Sequence, residues 1–260
     1  MSDENSELFD RLYRDNQAKV YRLALSLTGN THDAEEITQE AFFRAFRSYH
    51  TFRRESSFFT WIYRIAMNVA NDHLRQRTKT PIETLTGDLG YALEDIIDPN
   101  PANNPETELH AYQVRIRCLH AMTECLPIDQ RKVFCLAISL GLPHKTIADI
   151  LDCSIGSVKT TLHRAKKRWS GYMENKCQLI KKSNPCNCSQ FVRFGLSKGW
   201  FSKDTSVNSR QSIILQTKNE VINLRTLLEY YQDLYQDHAD ETFAKRIQEG
   251  IRNKEWLIFS

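Results

Sequence analysis

The stretch that decides the fold is Gly141–Trp169, GLPHKTIADILDCSIGSVKTTLHRAKKRW, which predicts two helices joined by a tight turn. Apolar side chains recur through its second half at alternating steps of four and three residues, the spacing of one helical face. They are Leu151, Ile155, Val158, Leu162, Ala165 and Trp169. Ser154 precedes the second helix, and we expect its hydroxyl to cap that helix by accepting an unpaired backbone N–H.

The other face of the second helix is basic and carries no acid. Its residues are Lys159, Thr160, His163, Arg164, Lys167 and Arg168. A short helix, a turn and a longer basic helix form the helix-turn-helix pattern, whose second helix lies in a DNA major groove. The alternative is a solvated basic helix on an ordinary helical protein.

Length and composition predict an all-α protein of the cytoplasm. The chain has 260 residues, enough for about two domains, and only 9 Gly and 7 Pro. It lacks an apolar run long enough to span a membrane, and its acidic, polar N-terminus lacks a signal-peptide core. We therefore expect no membrane insertion, and we expect the 7 cysteines to be reduced.

Charge is distributed in blocks along the chain, although the net charge is only +3. Residues 41–79 contain eight Lys and Arg against two acids, whereas residues 80–110 contain seven acids and no Lys or Arg. Such alternation suits a protein that contacts both a nucleic acid and a basic protein surface.

The segment 31–49, THDAEEITQEAFFRAFRSY, predicts a helix capped by Thr31 or Asp33. Its buried stripe is Ala34, Ile37, Ala41 and Ala45. The opposite face mixes acids with an exposed aromatic ring through Glu36, Gln39, Glu40, Phe43 and Arg47. That mixture indicates a protein-docking surface, and a solvated face is the alternative.

A further helix is predicted over residues 57–77, with two neighbouring stripes. The core stripe is Phe58, Ile62, Ile65, Val69 and His73; the second stripe is Trp61, Arg64, Asn68, Asn71 and Arg75. Rings for stacking, amides for base edges and cations for phosphates are what single-stranded or flipped DNA needs. Alternatively, Trp61 belongs to the edge of the core. The loop before this helix carries Arg53 and Arg54, as a strand-clamping loop would.

Two runs of the sequence resemble regions of the bacterial sigma-70 family of initiation factors. DAEEITQEAFFRAFRSY with SSFFTWIYRIAMNVANDHLRQR is similar to region 2, and LPIDQRKVFCLAISLGLPHKTIADILDCSIGSVKTTLHRAKKRW is similar to region 4. With these two regions only, over residues 8–170, the chain resembles the extracytoplasmic-function (ECF) sigma factors. The resemblance implies a sigma factor that binds the β and β′ subunits of core RNA polymerase, directs it to promoter DNA and helps to melt the −10 element. An anti-sigma factor is a further implied partner.

The resemblance, taken together with the helical faces described above, predicts roles for individual residues. The polymerase-binding positions are Glu36, Gln39, Glu40 and Phe43. The −10 positions are Arg53, Arg54, Trp61, Arg64, Asn68, Asn71 and Arg75. The −35 positions are Ser157, Lys159, Thr160, His163, Arg164 and Lys167.

The predicted organisation is two small helical domains joined by an acidic linker and followed by a mainly helical extension. We expect region 2 over 7–78, the linker over 79–110, region 4 over 111–170 and the C-terminal extension over 171–260. Pro99, Pro101 and Pro105 argue against a long helix in the linker, and the next helix is predicted to begin at His110. In the extension, an apolar seam predicts a helical hairpin or a dimer contact, with a regulatory role in cis. The seam is Val221, Leu224, Leu228, Tyr231 and Tyr235.

Cysteines of the extension are candidate metal ligands. Cys177, Cys186 and Cys188 are close enough in sequence to share zinc or copper, which thiolates prefer; no other cofactor is expected. Free structural thiols and a redox-sensitive pair are the alternatives. The remaining cysteines lie among apolar residues and are predicted to be core. They are Cys118, Cys125, Cys135 and Cys153.

Two other classes of function are alternatives to a sigma factor. One is a one-component helix-turn-helix regulator with a C-terminal sensory domain, which has no use for the Trp61 stripe and the acidic docking helix. The other is an enzyme, for which the sequence offers no catalytic triad, phosphate loop or carboxylate pair. The chain is therefore predicted to have no catalytic residues.

Overall fold

The computed structural model of the protein describes residues 3–52, 55–74, 86–87, 90–199 and 201, without the side chains of residues 3–7, 72, 73 and 116. The chain divides into two compact units. Of the described residues, the first unit contains 3–52, 55–74 and 127–165, and the second contains 86–87, 90–126, 166–199 and 201. The predicted apolar seam of the tail, from Val221 to Tyr235, lies outside the described residues.

The regular elements described in the first unit are all helices, and the all-α prediction is confirmed. Its N-terminal helices are α1 Asp3–Thr28, α2 Thr31–Ser48 with a 3-10 turn Tyr49–Thr51, and α3 Phe58–Leu74. Later in the chain, the unit contains α6 Ile128–Phe134, which a π-helical turn Cys135–Ser139 continues. It also contains α7 His144–Leu151 and the start of α8 Ile155–Lys176; α4 Leu93–Ile96 and α5 Pro105–Glu124 belong to the second unit.

The junction of α1 and α2 differs from the prediction in its capping residue. Gly29 leaves α1 with a positive φ of 65°, a backbone conformation that suits a residue without a Cβ. Asn30 is then extended, and its Oδ1 accepts the N–H groups of His32 at 2.8 Å and Asp33 at 3.1 Å. The predicted caps Thr31 and Asp33 are therefore wrong, because both are already helical. The buried stripe Ala34, Ile37, Ala41 and Ala45 is confirmed.

Helix α3 is covered over a wider face than the sequence predicts. Ser57 caps it, its Oγ accepting the Thr60 N–H at 3.1 Å. Phe58, Ile62 and Val69 are buried as expected, whereas Ile65 is only half-buried and the side chain of His73 is not described. Tyr63, Ala66, Met67 and Ala70 are also buried, because α3 packs against α1 and α2 and also against α7.

The helix-turn-helix forms as predicted. Asp152 ends α7 in the left-handed region with φ of 51°, and the Ser154 hydroxyl accepts the Ser157 N–H at 3.1 Å. Along α8 the buried apolar side chains are Val158, Leu162, Ala165 and Trp169. The stripe is wrong at its start: Leu151 is half-buried and Ile155 is 43% exposed, since residues 152–157 are all exposed at the turn.

Removing the cap of α8 should destabilise the protein measurably. We expect Ser154→Ala to lower the free energy of unfolding by about 1 kcal/mol, because the Ser157 N–H loses its acceptor. Ser154→Asp retains a side-chain acceptor and is the matched control, with an expected change close to zero. Urea unfolding followed by circular dichroism measures both. Equal destabilisation by the two variants would contradict the capping role.

Within the first unit, α3 packs against α7 of the helix-turn-helix. Arg64 Nε donates a hydrogen bond to the backbone carbonyl oxygen of Asp149 at 2.7 Å. Near the end of α1, the Ser26 carbonyl oxygen accepts a hydrogen bond from the Cys135 thiol at 3.1 Å. Two segments that are distant in sequence, residues 3–74 and 128–151, therefore contact each other directly.

The second unit contains the linker helices and the first part of the extension. Its helices are α4 Leu93–Ile96, α5 Pro105–Glu124, the end of α8, a 3-10 turn Cys188–Phe191 and α9 Val192–Ser197. Asn104 caps α5 by accepting the Thr107 N–H, and Pro105 is its first residue. The predicted start at His110 is therefore wrong, because a proline loses no hydrogen bond in the first turn of a helix.

The described part of the acidic linker packs on the extension and is not simply extended. The Asp98 N–H donates to the Gln190 carbonyl oxygen at 2.7 Å. Arg193 donates to the carbonyl oxygen of Glu94 at 3.3 Å, and its Nε lies 3.9 Å from the Asp98 carboxylate. Asp98 of the linker thus has a basic partner in the extension.

Candidate nucleic-acid interface

All the predicted −35 side chains lie exposed on α8. They are Ser157, Lys159, Thr160, His163, Arg164 and Lys167. Their helix is held on its other side by buried Val158, Leu162 and Ala165, so this face is presented to solvent. No Asp or Glu occurs from Ile155 to Trp169. Lys and Arg can bind phosphates or guanine edges, and hydroxyls can bind bases of several kinds.

The Trp61 ring lies at the edge of an aromatic cluster in the first unit. Its centroid is 4.9 Å from Phe52, 5.6 Å from Phe58 and 6.5 Å from Tyr49. Trp61 itself is half-buried. The two sequence interpretations, core edge and exposed platform, are thus compatible, because the cluster fixes the ring while leaving part of it accessible.

Other −10 candidates follow Trp61 along α3. Asn68 is exposed and Asn71 is half-buried. Arg64 is half-buried and already bound to the Asp149 carbonyl oxygen. Arg53, Arg54 and Arg75 lie outside the described residues.

The predicted docking face of α2 is acidic but partly paired. Glu36 is exposed and lies 3.5 Å from His32, and Glu40 accepts a hydrogen bond from Arg44 at 2.6 Å. Gln39 is half-buried. The prediction of an exposed Phe43 is wrong: the ring is half-buried, and the Arg47 guanidinium lies 5.6 Å from its centroid.

Sequence reasoning missed Tyr49 and Phe52, whose rings support Trp61. The density of aromatic residues from Phe42 to Trp61 was the available signal. It also missed the hydrogen-bond partner of Arg64. The acceptor is a backbone carbonyl oxygen, and because every residue has one, the sequence does not single it out.

The cysteines divide between core and surface. Cys135 is buried, which confirms the core prediction, whereas Cys118 and Cys125 are half-buried. Cys153 is exposed in the turn of the helix-turn-helix, so the core prediction is wrong there. Among the described residues, no group of three or more His, Cys, Asp or Glu is arranged to hold a metal ion as it stands. Zinc or copper at Cys177, Cys186 and Cys188 stays a prediction.

None of the helices in the described ranges is long and apolar enough to cross a membrane.

Comparison with known families gives two matches in chain order. Residues 12–80 match the family model for sigma-70 region 2, and residues 116–168 match that for sigma-70 region 4. Both matches overlap the elements described above: the first includes α2 and α3, and the second includes the helix-turn-helix.

Individual relatives carry names of the same kind. RNA polymerase sigma-H factor of Pseudomonas aeruginosa is 33% identical over 168 residues, which are 61% of this chain and 82% of that protein. ECF RNA polymerase sigma-E factor of Haemophilus influenzae is 32% identical over 181 residues, 67% of this chain and 89% of that protein. ECF RNA polymerase sigma factor SigE of Mycolicibacterium smegmatis is 33% identical over 166 residues, 64% of this chain; the match spans 61% of that relative.

A solved structure shows the sigma factor RpoE in complex with the anti-sigma factor NepR from Bartonella quintana. It aligns with this chain at a TM-score of 0.44 and 20% sequence identity, and the alignment covers 64% of this chain and 96% of that one. The sequence matches go further, since they cover 82% and 89% of two relatives at about one-third identity. The α2–α3 pair thus lies in the region 2 match, and the helix-turn-helix with its exposed basic face lies in the region 4 match that follows it. The chain belongs to the ECF RNA polymerase sigma factors of the sigma-70 family.

Proposed function

We propose that this sigma factor binds the −35 element with the exposed face of α8 and the opened −10 strand with the Trp61 stripe of α3. The observation that carries the proposal is the arrangement of α8, where six candidate side chains are exposed opposite a buried stripe. The cap at Ser154 fixes the end of α8 that begins this face. A rigid helix of this kind can enter a major groove without losing its own packing.

Trp61 supplies a preorganised stacking surface for an unpaired base. Contacts with Phe52 and Phe58 already restrict its ring, so little side-chain entropy remains to be lost on binding. Stacking on an aromatic ring contributes about 1–3 kcal/mol per base and tolerates any base. The exposed amide of Asn68, farther along the same helix, adds hydrogen-bonding capacity.

Promoter binding requires α3 and α7 to separate. The −35 and −10 elements are separated by about 25 base pairs; at about 3.4 Å per base pair, this separation is about 85 Å of duplex. Arg64 on α3 is hydrogen-bonded to Asp149 on α7, so the packed form cannot hold both elements at once. We infer that binding to the polymerase replaces this contact and frees Arg64 for DNA.

The partners we propose are core RNA polymerase, through its β and β′ subunits, and promoter DNA, with an anti-sigma factor as a regulator. The polymerase carries out the chemistry, and the sigma factor contributes no catalytic residue. Its place of action is the cytoplasm, where the polymerase works. The acids of α2 fit a basic surface on the polymerase.

Charge reversal on α2 tests the polymerase contact. We expect Glu40→Lys to weaken binding to core polymerase by at least about tenfold, because a like-charge contact costs several kcal/mol at an interface. Glu174→Lys makes the same charge change at an exposed position of α8 and should bind as the wild type does. Equilibrium binding of the labelled, full-length proteins to core polymerase measures both. Wild-type affinity for Glu40→Lys would overturn the assignment of this face.

A further inference from the structure

Four cysteines from three segments of the chain come together in the second unit. Cys118 lies on α5, Cys177 directly follows α8, and Cys186 and Cys188 flank Asn187. Cys177 is buried and the other three are half-buried. The sequence alone placed only the last three together and assigned Cys118 to the core.

The backbone holds three of these cysteines on one side of the turn. Cys177 and Cys186 form an isolated parallel β-bridge, with the Gln178 N–H donating to the Cys186 carbonyl oxygen at 3.0 Å. Bridged residues in parallel strands point to the same side. Asn187 is extended, with φ −113° and ψ 132°, so Cys186 and Cys188 also share a side.

Helix α5 brings the fourth cysteine to this side. It contacts the turn Cys188–Phe191, and Cys188 packs against the cluster of Ala111, Val114 and Val192, of which the first two lie on α5. Cys118 lies one turn farther along the same stripe of α5. The pKa of the Cys118 thiol is raised well above its ordinary value, first by burial and then by the proximity of Cys188, Cys186, Cys177 and Cys125. Cys118 therefore lies near all three C-terminal cysteines, and Cys125, just after the end of α5, is a further neighbour.

The surroundings of the cluster include a positive charge. The Arg115 charge lowers the pKa of the Cys177 and Cys188 thiols, against the larger effect of burial, which raises both. The Nε of Arg115 is buried with no hydrogen-bond partner, and a negative group beside it would satisfy this donor.

This geometry suits a thiophilic metal ion. Cys177 and Cys186 are bridged, Cys188 lies on the same side, and the turn that begins at Cys188 contacts α5, which carries Cys118. A thiophilic ion binds cysteines as thiolates and displaces their protons.

We propose that Cys118, Cys177, Cys186 and Cys188 bind one thiophilic divalent ion of the zinc type, with Cys118 as the fourth ligand that the C-terminal cysteines lack. Four thiols and one Zn²⁺ give a tetrathiolate centre with a double negative charge and release four protons to solvent. Arg115 offsets part of that charge.

The proposed site requires the cysteine side chains to reorient. Among the described residues, no group of three or more His, Cys, Asp or Glu is already arranged to hold an ion. A change of χ1 rotamer redirects a cysteine sulfur, and the proposal assigns closure of the site to such changes. The bound ion ties α5 to the C-terminal end of α8 and to the start of the extension, and thereby stabilises the second unit.

Cobalt(II) titration of the reduced, metal-free, full-length chain tests the site. We expect one equivalent to bind and to give the intense visible bands of tetrahedral cobalt with four sulfur ligands, and Zn²⁺ to displace it. Zinc should also protect four of the seven cysteines from a thiol-modifying reagent, with exposed Cys153 still reactive.

Variants separate a ligand from a merely packed cysteine. Cys118→Ser should weaken zinc binding by at least about 100-fold, since even the loss of an outer-shell contact costs about 10–100-fold. Cys118→His should retain one-equivalent binding with the bands of a three-sulfur, one-nitrogen site, which guards against a misfolded serine variant. Cys153→Ser, in the turn of the helix-turn-helix, is the control and should bind as the wild type does.

Several results would overturn the proposal. They are the absence of cobalt and zinc binding, an unchanged four-sulfur spectrum in Cys118→Ser, or binding of copper(I) without binding of zinc. Formation of a Cys177–Cys186 disulfide on peroxide treatment, in a chain that binds no zinc, would identify a dithiol switch in its place. Transcription by the cysteine variants is not needed for the test, so its outcome is independent of the proposed promoter contacts.

Discussion

Replacing Trp61 with alanine is expected to lower the equilibrium formation of open promoter complexes by about 5- to 140-fold. The estimate follows from about 1–3 kcal/mol per stacked base, with about 1.4 kcal/mol for each factor of ten. Duplex binding at the −35 element should change little, because Trp61 lies on α3 and the basic face lies on α8. The fluorescence of a base analogue in the −10 element reports opening. It is measured at a saturating concentration of polymerase.

Phe59→Ala is the matched control for this experiment. Phe59 is also a half-buried aromatic residue of α3, but its ring packs on Tyr63 with centroids 4.1 Å apart, away from the Trp61 cluster. It should leave opening near the wild-type level, and Trp61→Phe should retain most of it. Normal opening by Trp61→Ala, or an equal loss in Phe59→Ala, would contradict the stacking role.

Removing base contacts from α8 should have an effect of similar size at the other promoter element. We expect Arg164→Ala to weaken binding of the polymerase complex to a promoter by about 1–3 kcal/mol, the discrimination that one good base contact provides. Lys159→Ala should act in the same direction and, if the contact is to a phosphate, should reduce the salt dependence by about one ion. Both side chains are exposed and neither supports the core.

The control for α8 is Lys176→Ala, which removes an exposed positive charge from the last residue of the same helix. Binding should be measured on two templates, one with an intact −35 element and one with that element scrambled. The defect of Arg164→Ala should shrink on the scrambled template, since no specific contact is left to lose. A defect of equal size on both templates would assign Arg164 to phosphate binding and contradict base recognition.

Periodicity predicted the parts of this fold that local geometry decides. The buried stripe of α2 and the middle of the α8 stripe are where a helical period of 3.6 places them. The sequence also predicted the Ser154 cap, because a short polar side chain directly before an apolar helical stripe is typical of an N-cap. Exposure of the six −35 candidates followed from the same stripe.

The sequence predictions were wrong where the burial or the partner of a residue depends on segments distant in sequence. Periodicity predicts on which face of its helix Ile155 lies, but not whether another segment covers that turn. In the structure, Ile155 is 43% exposed. The contact of Arg64 with Asp149 joins residues 85 positions apart, and its acceptor is a backbone oxygen. Pro105 argues in the sequence against a long helix, but in the structure it is the first residue of α5. The convergence of Cys118 with the C-terminal cysteines is likewise tertiary.

Run-off transcription with purified core RNA polymerase tests the central claim most directly. The full-length protein should convert core polymerase, which initiates without specificity, into an enzyme that starts at one position on a promoter selected by the protein. Trp61→Ala should reduce that product, and the protein alone should not protect a specific duplex site. Specific duplex binding in the absence of polymerase, together with no promoter-dependent transcript in its presence, would contradict the account and identify a one-component regulator.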